Sequence, residues 1–453
     1  MTRLGPELAP LWSHALDLLK AGRDVEAQAV LATLLNAAPG YAPAWNNLAV
    51  ALRRQGRFGP AEAAAKRGLA LPGGDTDGGW SNLGNLLRDQ GRFAEAEDAF
   101  AAAIRAGGGH GTRYNLALLL RDRGRLDAAL AEIAPALAAE PGNPQYQWDH
   151  ALIRLQAGDW QAGFEAYEAR WRLPGVPAPA SDRPWWTGEP LDGRTLLLVG
   201  EQGLGDVIQF ARFVAQVPPG GRLALAVRKP LLRLLRAAPA LGGVAVVDAA
   251  EPLPPHDLVL PLLSLPRVLR TTPETLPLPV EFRIPEAAVA DADARLGPRH
   301  GRRRLGIVWA GSSGHRNDRN RSAPLAVLVP LLADPSWEVL SFQFGPHAAE
   351  LASHGLAGLV RDIAPMIDDF LDTAAFLRTI ERLVTVDTGI AHLAGSLGVP
   401  TSVMVPEACD WRWGVDGAAS LWYPSLTLVR QPRQGDWAAA IARLAALPAP
   451  MTV

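Results

Sequence analysis

The sequence predicts a multidomain chain, with an all-α repeat solenoid followed by an α/β region made of two sheet-bearing halves. Two observations carry this. Glycines recur at Gly22, Gly56, Gly91, Gly124 and Gly158, spaced by 34, 35, 33 and 34 residues. Beyond residue 192, short apolar runs alternate with helical stretches, each bounded by glycine or proline. A length of 453 residues suits two to three domains. A hydrophobic share of 48% and a charged share of 20% fit a globular chain.

The repeats come first. A period of 34 is the length of a tetratricopeptide unit, a helix–turn–helix that buries its apolar face only by stacking on its neighbours. Each glycine lies in a turn: AGRD, QGRF, QGRF, RGRL, AGDW. Such arrays offer a concave surface to a protein or peptide. Nine residues before the turn glycines stand Asn47, Asn82, Asn115 and Asp149. Eleven before stand Trp45, Trp80 and Arg113, and eight before stand Leu48, Leu83, Leu116 and His150. The tryptophans and leucines recur for packing. Asparagine is a poor helix former, so its return at one register has two readings. It solvates or caps the solenoid, or it grips a peptide backbone through its paired donor and acceptor. Trp160, Phe164, Tyr167 and Trp171 follow one helical face and read as the docking stripe that closes the array.

The segment Leu173–Pro190 holds five prolines and reads as a stiff linker that Trp185 and Trp186 pin down. The expected division is residues 1–172 for the solenoid, 173–192 for the linker, 193–300 for one Rossmann-like half and 301–453 for the other. In the first half, strands are expected at Thr195–Val199, Leu223–Val227, Val244–Val247 and Asp257–Leu260. Helices are expected through Val214 and over Pro230–Ala237. In the second half, strands are expected at Leu305–Ala310, Val339–Phe344, Leu383–Val386 and Ser402–Val405. Helices are expected at Leu325–Leu332, around Thr373–Thr379, at Ile390–Leu397 and near Trp437–Leu447. This alternation argues for parallel sheets covered by helices, with ligands at the carboxyl ends of strands.

Three segments bear chemistry. GEQGLGDVIQF places Gly203, Gly205 and Asp206 at a strand-to-helix turn, where backbone can approach a phosphate. Ile208 replaces the third glycine of a dinucleotide fingerprint, which argues against a nicotinamide enzyme. Asp206 reads as an N-cap or as a catalytic carboxylate. WAGSSGHRNDRNRS carries His315, Arg316, Arg319 and Arg321 just after a strand, either a solvated cluster or a phosphate clamp. VDTGIAHLAGSLGVP sets Asp387, Thr388 and Gly389 at a helix start, with backbone N–H groups expected to point outward. His392, one turn on, reads as a ligand or as a core histidine. Trp411 and Trp413 form an aromatic pair in a loop, an arrangement that often serves packing. Asp291 and Asp293 look like a metal-binding DxD pair but sit in an alanine-rich helical stretch and read as a solvated face.

A formal net charge of −2 gives no field for nucleic acid. One cysteine, Cys409, permits no intrachain disulfide and suits a reducing compartment. The first twenty residues read as a helix rather than a signal peptide, and no apolar run is long enough to span a bilayer. The expected setting is the cytoplasm.

The asparagine register resembles the ladder of the O-GlcNAc transferase family, whose repeat arm holds extended acceptor polypeptide. The ordered segments resemble bacterial tetratricopeptide proteins with a C-terminal domain of glycosyltransferase family 9, the heptosyltransferases, of GT-B fold. They run from PWWTGEPLDGRTLLLVGEQGLGDVIQF through GIVWAGSSGHRNDRNRS and DFLDTAAFL to VDTGIAHLAGSLGVP and DWRW. The resemblance implies that Asp206 is the general base. It implies that Gly203, Gly205, His315, Arg316, Arg321, Asp387, Thr388, Gly389 and His392 bind the donor, and that Asn47, Asn82 and Asn115 bind the acceptor. The family's lysine after the first C-terminal strand is absent here. The implied enzyme is a metal-independent, inverting glycosyltransferase with no cofactor and a nucleotide-sugar substrate. Its expected acceptor is a protein, flagellin first, with a nonulosonic acid on CMP as one donor. A transferase acting on cell-surface or lipid-linked glycan, and a non-catalytic scaffold, are the alternatives.

Overall fold

The computed structural model describes residues 4–177, 181–314 and 317–445. The chain forms two compact units, Met1–Ile153 and Arg154–Val453.

The first unit is a stack of antiparallel helices. They are α1 Ala9–Lys20, α2 Asp24–Ala37, α3 Ala42–Arg54, α4 Phe58–Ala70, α5 Asp77–Asp89, α6 Phe93–Arg105, α7 His110–Asp122 and α8 Leu126–Ala139; α9 Pro144–Gln156 crosses its end. The turn glycines explain the period. Gly22, Gly56, Gly91 and Gly124 have φ of 70°, 74°, 73° and 68°. At each, the glycine N–H and the next N–H return to the helix just ended, as Gly56 does to Arg53 (2.9 Å) and Arg57 to Leu52 (2.9 Å). This is a Schellman closure, and its left-handed residue is glycine because a Cβ there is strained. The arginines after Gly56, Gly91 and Gly124 then tie each repeat to the one before it. Arg57 donates to Gln28 (3.2 Å), Arg92 to Glu62 (2.6 Å) and Arg125 to Glu97 (2.6 Å), each in the preceding repeat. Small residues let the helices close up: Ala15, Ala27, Ala44 and Ala51 share one buried cluster with Leu31 and Leu34.

The second unit opens with α10 Trp160–Tyr167 and holds two all-parallel sheets. The first has the order β3-β2-β1-β4, with β1 Thr195–Val199, β2 Arg222–Val227, β3 Val244–Asp248 and β4 Leu258–Pro261. The second has the order β10-β9-β8-β5-β6-β7. Its strands are β5 Arg303–Ile307, β6 Trp337–Ser341, β7 Val360–Asp362, β8 Arg382–Val386, β9 Thr401–Val405 and β10 Leu426–Arg430. The inner strands β1 and β2 are almost wholly apolar, as strands covered by helices on both faces are, whereas inner β5 begins with Arg303 and Arg304.

Several elements differ from the sequence reading. The helix expected through Val214 is α11, Leu204–Phe210, followed by a 3-10 turn at Ala211–Gln216. The helices expected at Pro230–Ala237 and Leu325–Leu332 each divide into a 3-10 turn and a short α-helix, since Pro230 and Pro330 supply no N–H. Strands β7 and β10 have no counterpart in the sequence reading, and the alanine-rich stretch around Asp291 and Asp293 is helical as expected, over Glu286–Leu296. The linker is pinned as expected. Trp186 N–H donates to Val259 O (3.0 Å), Val259 N–H to Pro184 O (3.1 Å), and the Trp186 side chain is fully buried.

Candidate active site

Strand order locates the site. Ligands of open parallel sheets sit beyond the carboxyl ends of strands where the order reverses. In the first sheet that point lies between β1 and β4, and the chain fills it itself. Arg170 enters there and grips Glu201 through Nη2 (2.7 Å) and Nε (3.2 Å), and its Nη2 also reaches Ser264 Oγ (2.8 Å). Leu263 N–H donates to the same carboxylate (3.2 Å). Burial raises the Glu201 pKa above the ordinary value, and the Arg170 charge opposes that shift.

In the second sheet the reversal lies between β5 and β8. The segment after β5 is held open by Gln343. Its Oε1 accepts from Trp309 N–H (3.1 Å) and Ala310 N–H (2.9 Å). Further along, Ser322 Oγ accepts from Gly311 N–H (3.0 Å) and donates to Asp318 (3.0 Å). Arg321 crosses the crevice, with Nη1 donating to Asp387 O (3.0 Å). Its guanidinium lies under Gly311, in the place an added Cβ would take, so a larger residue there would have to displace Arg321.

The two halves meet where α11 packs on the helix Gly389–Ser396. A Cβ on Gly205 would stand 2.7 Å from Gly389 Cα and 2.9 Å from His392 Cδ2. Gly205 and Gly389 thus approach each other backbone to backbone. Asp206 lies one residue further. Its Oδ2 accepts from Gly203 N–H (2.8 Å), closing the first turn of α11. Its Oδ1 accepts from Arg412 Nη2 (2.7 Å). Asp206 is thus both a cap and a contact across the halves.

Arg412 was missed from sequence. It lies in the 3-10 turn Trp411–Trp413, after β9, within the quoted DWRW. Its Nη1 reaches Asp410 (3.0 Å) and its Nε reaches Gln209 Oε1 (2.8 Å). Burial works against its charge, but Asp410 and Asp206 outweigh this and hold it protonated.

Asp387 is enclosed by the same groups. Burial raises its pKa first and the Asp410 charge adds to this, against the pull of Arg321, the Trp413 indole and Arg412. His392 sits where a core histidine sits. Its Nδ1 faces Tyr423 OH (3.2 Å) and its ring stacks on Trp413, centroids 5.5 Å apart. Burial lowers its pKa to about 3, helped by Arg412 and Arg212, so the ring is neutral. Thr388 Oγ1 meets Thr385 Oγ1 (3.1 Å).

The structure therefore gathers Gly203, Gly205, Asp206, Arg321, Asp387, Thr388, Gly389 and His392 around one crevice and seam. His315 and Arg316 lie outside the described residues. Trp411 and Trp413 are packing residues: Trp411 meets Trp422 at 5.7 Å and Phe164 at 5.9 Å, edge-on. Asp293 pairs with Arg304 and Asp291 with Arg295, so neither joins a site. Among the described residues no group of three or more His, Cys, Asp or Glu is placed to hold a metal.

In the repeats, Asn47, Asn82 and Asn115 fall half-buried on α3, α5 and α7. Asn115 Nδ2 donates to Ser81 Oγ (3.1 Å). Asp149, at the fourth register position, is buried and accepts from Tyr114 (2.6 Å), Gln145 (2.7 Å) and Arg121 (3.2 Å). It is a structural node. No helix among the described residues is long and apolar enough to cross a membrane.

Residues 13–76 and 114–176 match one family model described as Tetratricopeptide repeat, and residues 81–106 match another of that description. The N-terminal repeats are tetratricopeptide repeats. Protein FlbA of Caulobacter vibrioides is 28% identical over 351 residues, which is 70% of this chain. The match spans only 58% of FlbA's own length. Among solved structures, the chain is similar to a glycosyl transferase family 9 protein from Veillonella parvula. That likeness has 13% identity and a TM-score of 0.41, over 58% of this chain and 92% of that one. It is also similar to a thermophilic tetratricopeptide protein of Thermus thermophilus, at 26% identity and a TM-score of 0.30, over 32% of this chain and 80% of that one.

Proposed function

We propose that this chain is a glycosyltransferase that moves a sugar from a nucleotide donor to Ser/Thr hydroxyls of a protein bound by the repeats. The observation that carries the reading is Asp206 at the seam of two parallel α/β halves, beside the Asp387–Gly389 turn. The acceptor oxygen attacks the anomeric carbon in line, and its proton passes to Asp206. The bond from that carbon to the phosphate oxygen breaks, and the nucleotide leaves with the electron pair. This displacement inverts the anomeric centre.

Two features favour the donor on the second half. The reversal point of the first sheet is filled by Arg170, whereas that of the second is flanked by Arg321 and a helix N-terminus. Thr388, Gly389 and Arg321 are the groups suited to the donor phosphates there, with His315 and Arg316 in the adjoining segment. Basic groups and a helix dipole can stabilise a leaving phosphate without metal. Asn47, Asn82 and Asn115 are assigned to the acceptor backbone. Flagellin is the acceptor put first, on the resemblance of the ordered motifs to repeat-bearing flagellin glycosyltransferases.

The test is thermal unfolding with UDP, GDP, ADP, CMP and their sugars, on wild type and Asp206→Ala. The donor identified there is then offered with flagellin, and product is read by intact mass. Wild type should add a sugar, and Asp206→Ala should bind the nucleotide yet add none. A protein that no nucleotide stabilises would favour the scaffold. A protein that binds a nucleotide but glycosylates only lipid-linked or surface glycan would replace the acceptor.

A further inference from the structure

We propose that Arg412 is a positioning residue that fixes the Asp206 carboxylate for proton transfer. This rests on Asp206 being the base.

The geometry is specific. Asp206 is held from both sides, by Gly203 N–H on Oδ2 (2.8 Å) and by Arg412 Nη2 on Oδ1 (2.7 Å). The first contact is local to α11. The second comes from the other half and is the one that a change in docking would remove. Arg412 itself has little freedom. Nη1 is on Asp410 (3.0 Å) and Nε on Gln209 Oε1 (2.8 Å). Its guanidinium lies over Trp411 at 4.8 Å and Phe210 at 5.7 Å from the ring centroids. All three kinds of guanidinium nitrogen are thus committed, and the side chain is 9% exposed. A cation so placed is costly to desolvate and is poorly explained as a stability device. Its planar fork suits holding one carboxylate in one orientation. Gln209 and Asp206 both belong to α11, so Arg412 reads the position of that helix at two points.

The test is a double-mutant cycle in the transfer assay, with Asp206→Asn, Arg412→Met and the pair. Arg412→Met should lower kcat on the order of 10²-fold, the penalty of a misplaced catalytic group, with donor KM within about 2-fold of wild type. Arg412→Lys should recover part of it. The double variant should be no slower than Asp206→Asn alone, because groups that act as a unit are non-additive. Additive losses, or a loss confined to donor KM, would overturn the proposal, since both describe a structural or donor-binding role. Asp206→Asn with full activity would sink the base reading itself. Asp206→Asn inactive with Arg412→Met fully active would sink only the positioning role. Should Arg412→Met not fold, Gln209→Met removes the brace on Nε. A drop in kcat alone would then support the role, and an unchanged kcat would refute it.

Discussion

Asp206 and Arg412 stand 206 positions apart in the chain and 2.7 Å apart in space. One ends the first turn of α11 after β1, and the other sits in the turn after β9. The contact makes the seam between the two sheets part of the site. Next to it, Gly205 and Gly389 allow that seam to close backbone against backbone.

The seam's tolerance should be unequal. A Cβ on Gly205 would come within 2.7 Å of Gly389 Cα, against 3.3 Å from Gly389 to Gly205 N. Backbone cannot move aside as a side-chain end can. Gly205→Ala should therefore destabilise by about 1–3 kcal/mol, the scale of overpacking, and Gly389→Ala by less. Thermal unfolding checks the order, and equal effects would contradict it.

His392 and Asp387 should pull the pH dependence of stability in opposite directions. His392 has its pKa lowered from 6.5 to about 3 by burial. The native state therefore binds fewer protons there than the unfolded state. The contribution is whole above about 6.5 and is lost as pH falls toward 3. Asp387 is raised instead, so between the ordinary carboxylate value and its raised one the native state holds the extra proton. Its contribution falls as pH rises through that window. The melting temperature of wild type should drop from about pH 7.5 to 4.5, less steeply in His392→Gln and more steeply in Asp387→Asn. Asp387→Asn should also melt higher than wild type at neutral pH, because it removes a buried charge and, with it, the repulsion from Asp410. A slope unchanged in both variants would count against these assignments.

The repeat turns offer a cleaner test. Gly56 has φ of 74°, and its substitution by alanine should cost about 1–2 kcal/mol. Gly111 lies in α7 with nothing within 4 Å of an added Cβ. Gly111→Ala should gain about 0.5–1 kcal/mol from helix propensity. Urea unfolding of the pair checks the sign, and a stabilising Gly56→Ala would refute the Schellman reading.

These contrasts show what was legible in the sequence. Gly56 and its fellows were, because a left-handed turn writes itself as glycine at a fixed interval. Strands β1 and β8 were, because a strand covered on both faces is a continuous apolar run. β7, three residues ending in Arg361 and Asp362, has no such run. The site was legible as three loops, each local in sequence. Arg412 was not, because what defines it is a pair of partners, Gln209 and Asp206, more than two hundred residues away. The pattern DWRW drew the eye to its tryptophans, which pack. The position of Arg412 just beyond the carboxyl end of a strand was the signal available.

The acceptor assignment separates its three asparagines. Asn115 is tied to Ser81, so its alanine variant should lose some stability as well as function. Asn47→Ala with Asn82→Ala should abolish modification of the bound protein while leaving nucleotide-induced stabilisation intact. Loss of both would place these residues in folding rather than recognition.

The aromatic stripe also decides where the chain can be cut. The sequence reading puts the boundary at residue 172, but the compact unit begins at Arg154. Trp160 stacks on Trp422 with centroids 5.2 Å apart, and Phe164 meets Trp411 at 5.9 Å. Trp160, Phe164 and Tyr167 are all buried in that unit. Each such ring is worth about 1.5–3 kcal/mol. Arg170, lost with them, would leave Glu201 without its cation, a further cost of about 3–5 kcal/mol. Together these rival the whole stability of a domain, about 5–15 kcal/mol. A chain of residues 173–453 should therefore fail to fold or melt far below one of residues 154–453. The longer one should unfold cooperatively and keep nucleotide binding. Equal melting temperatures for the two would mean that the aromatic stripe contributes little and that the boundary belongs at 172.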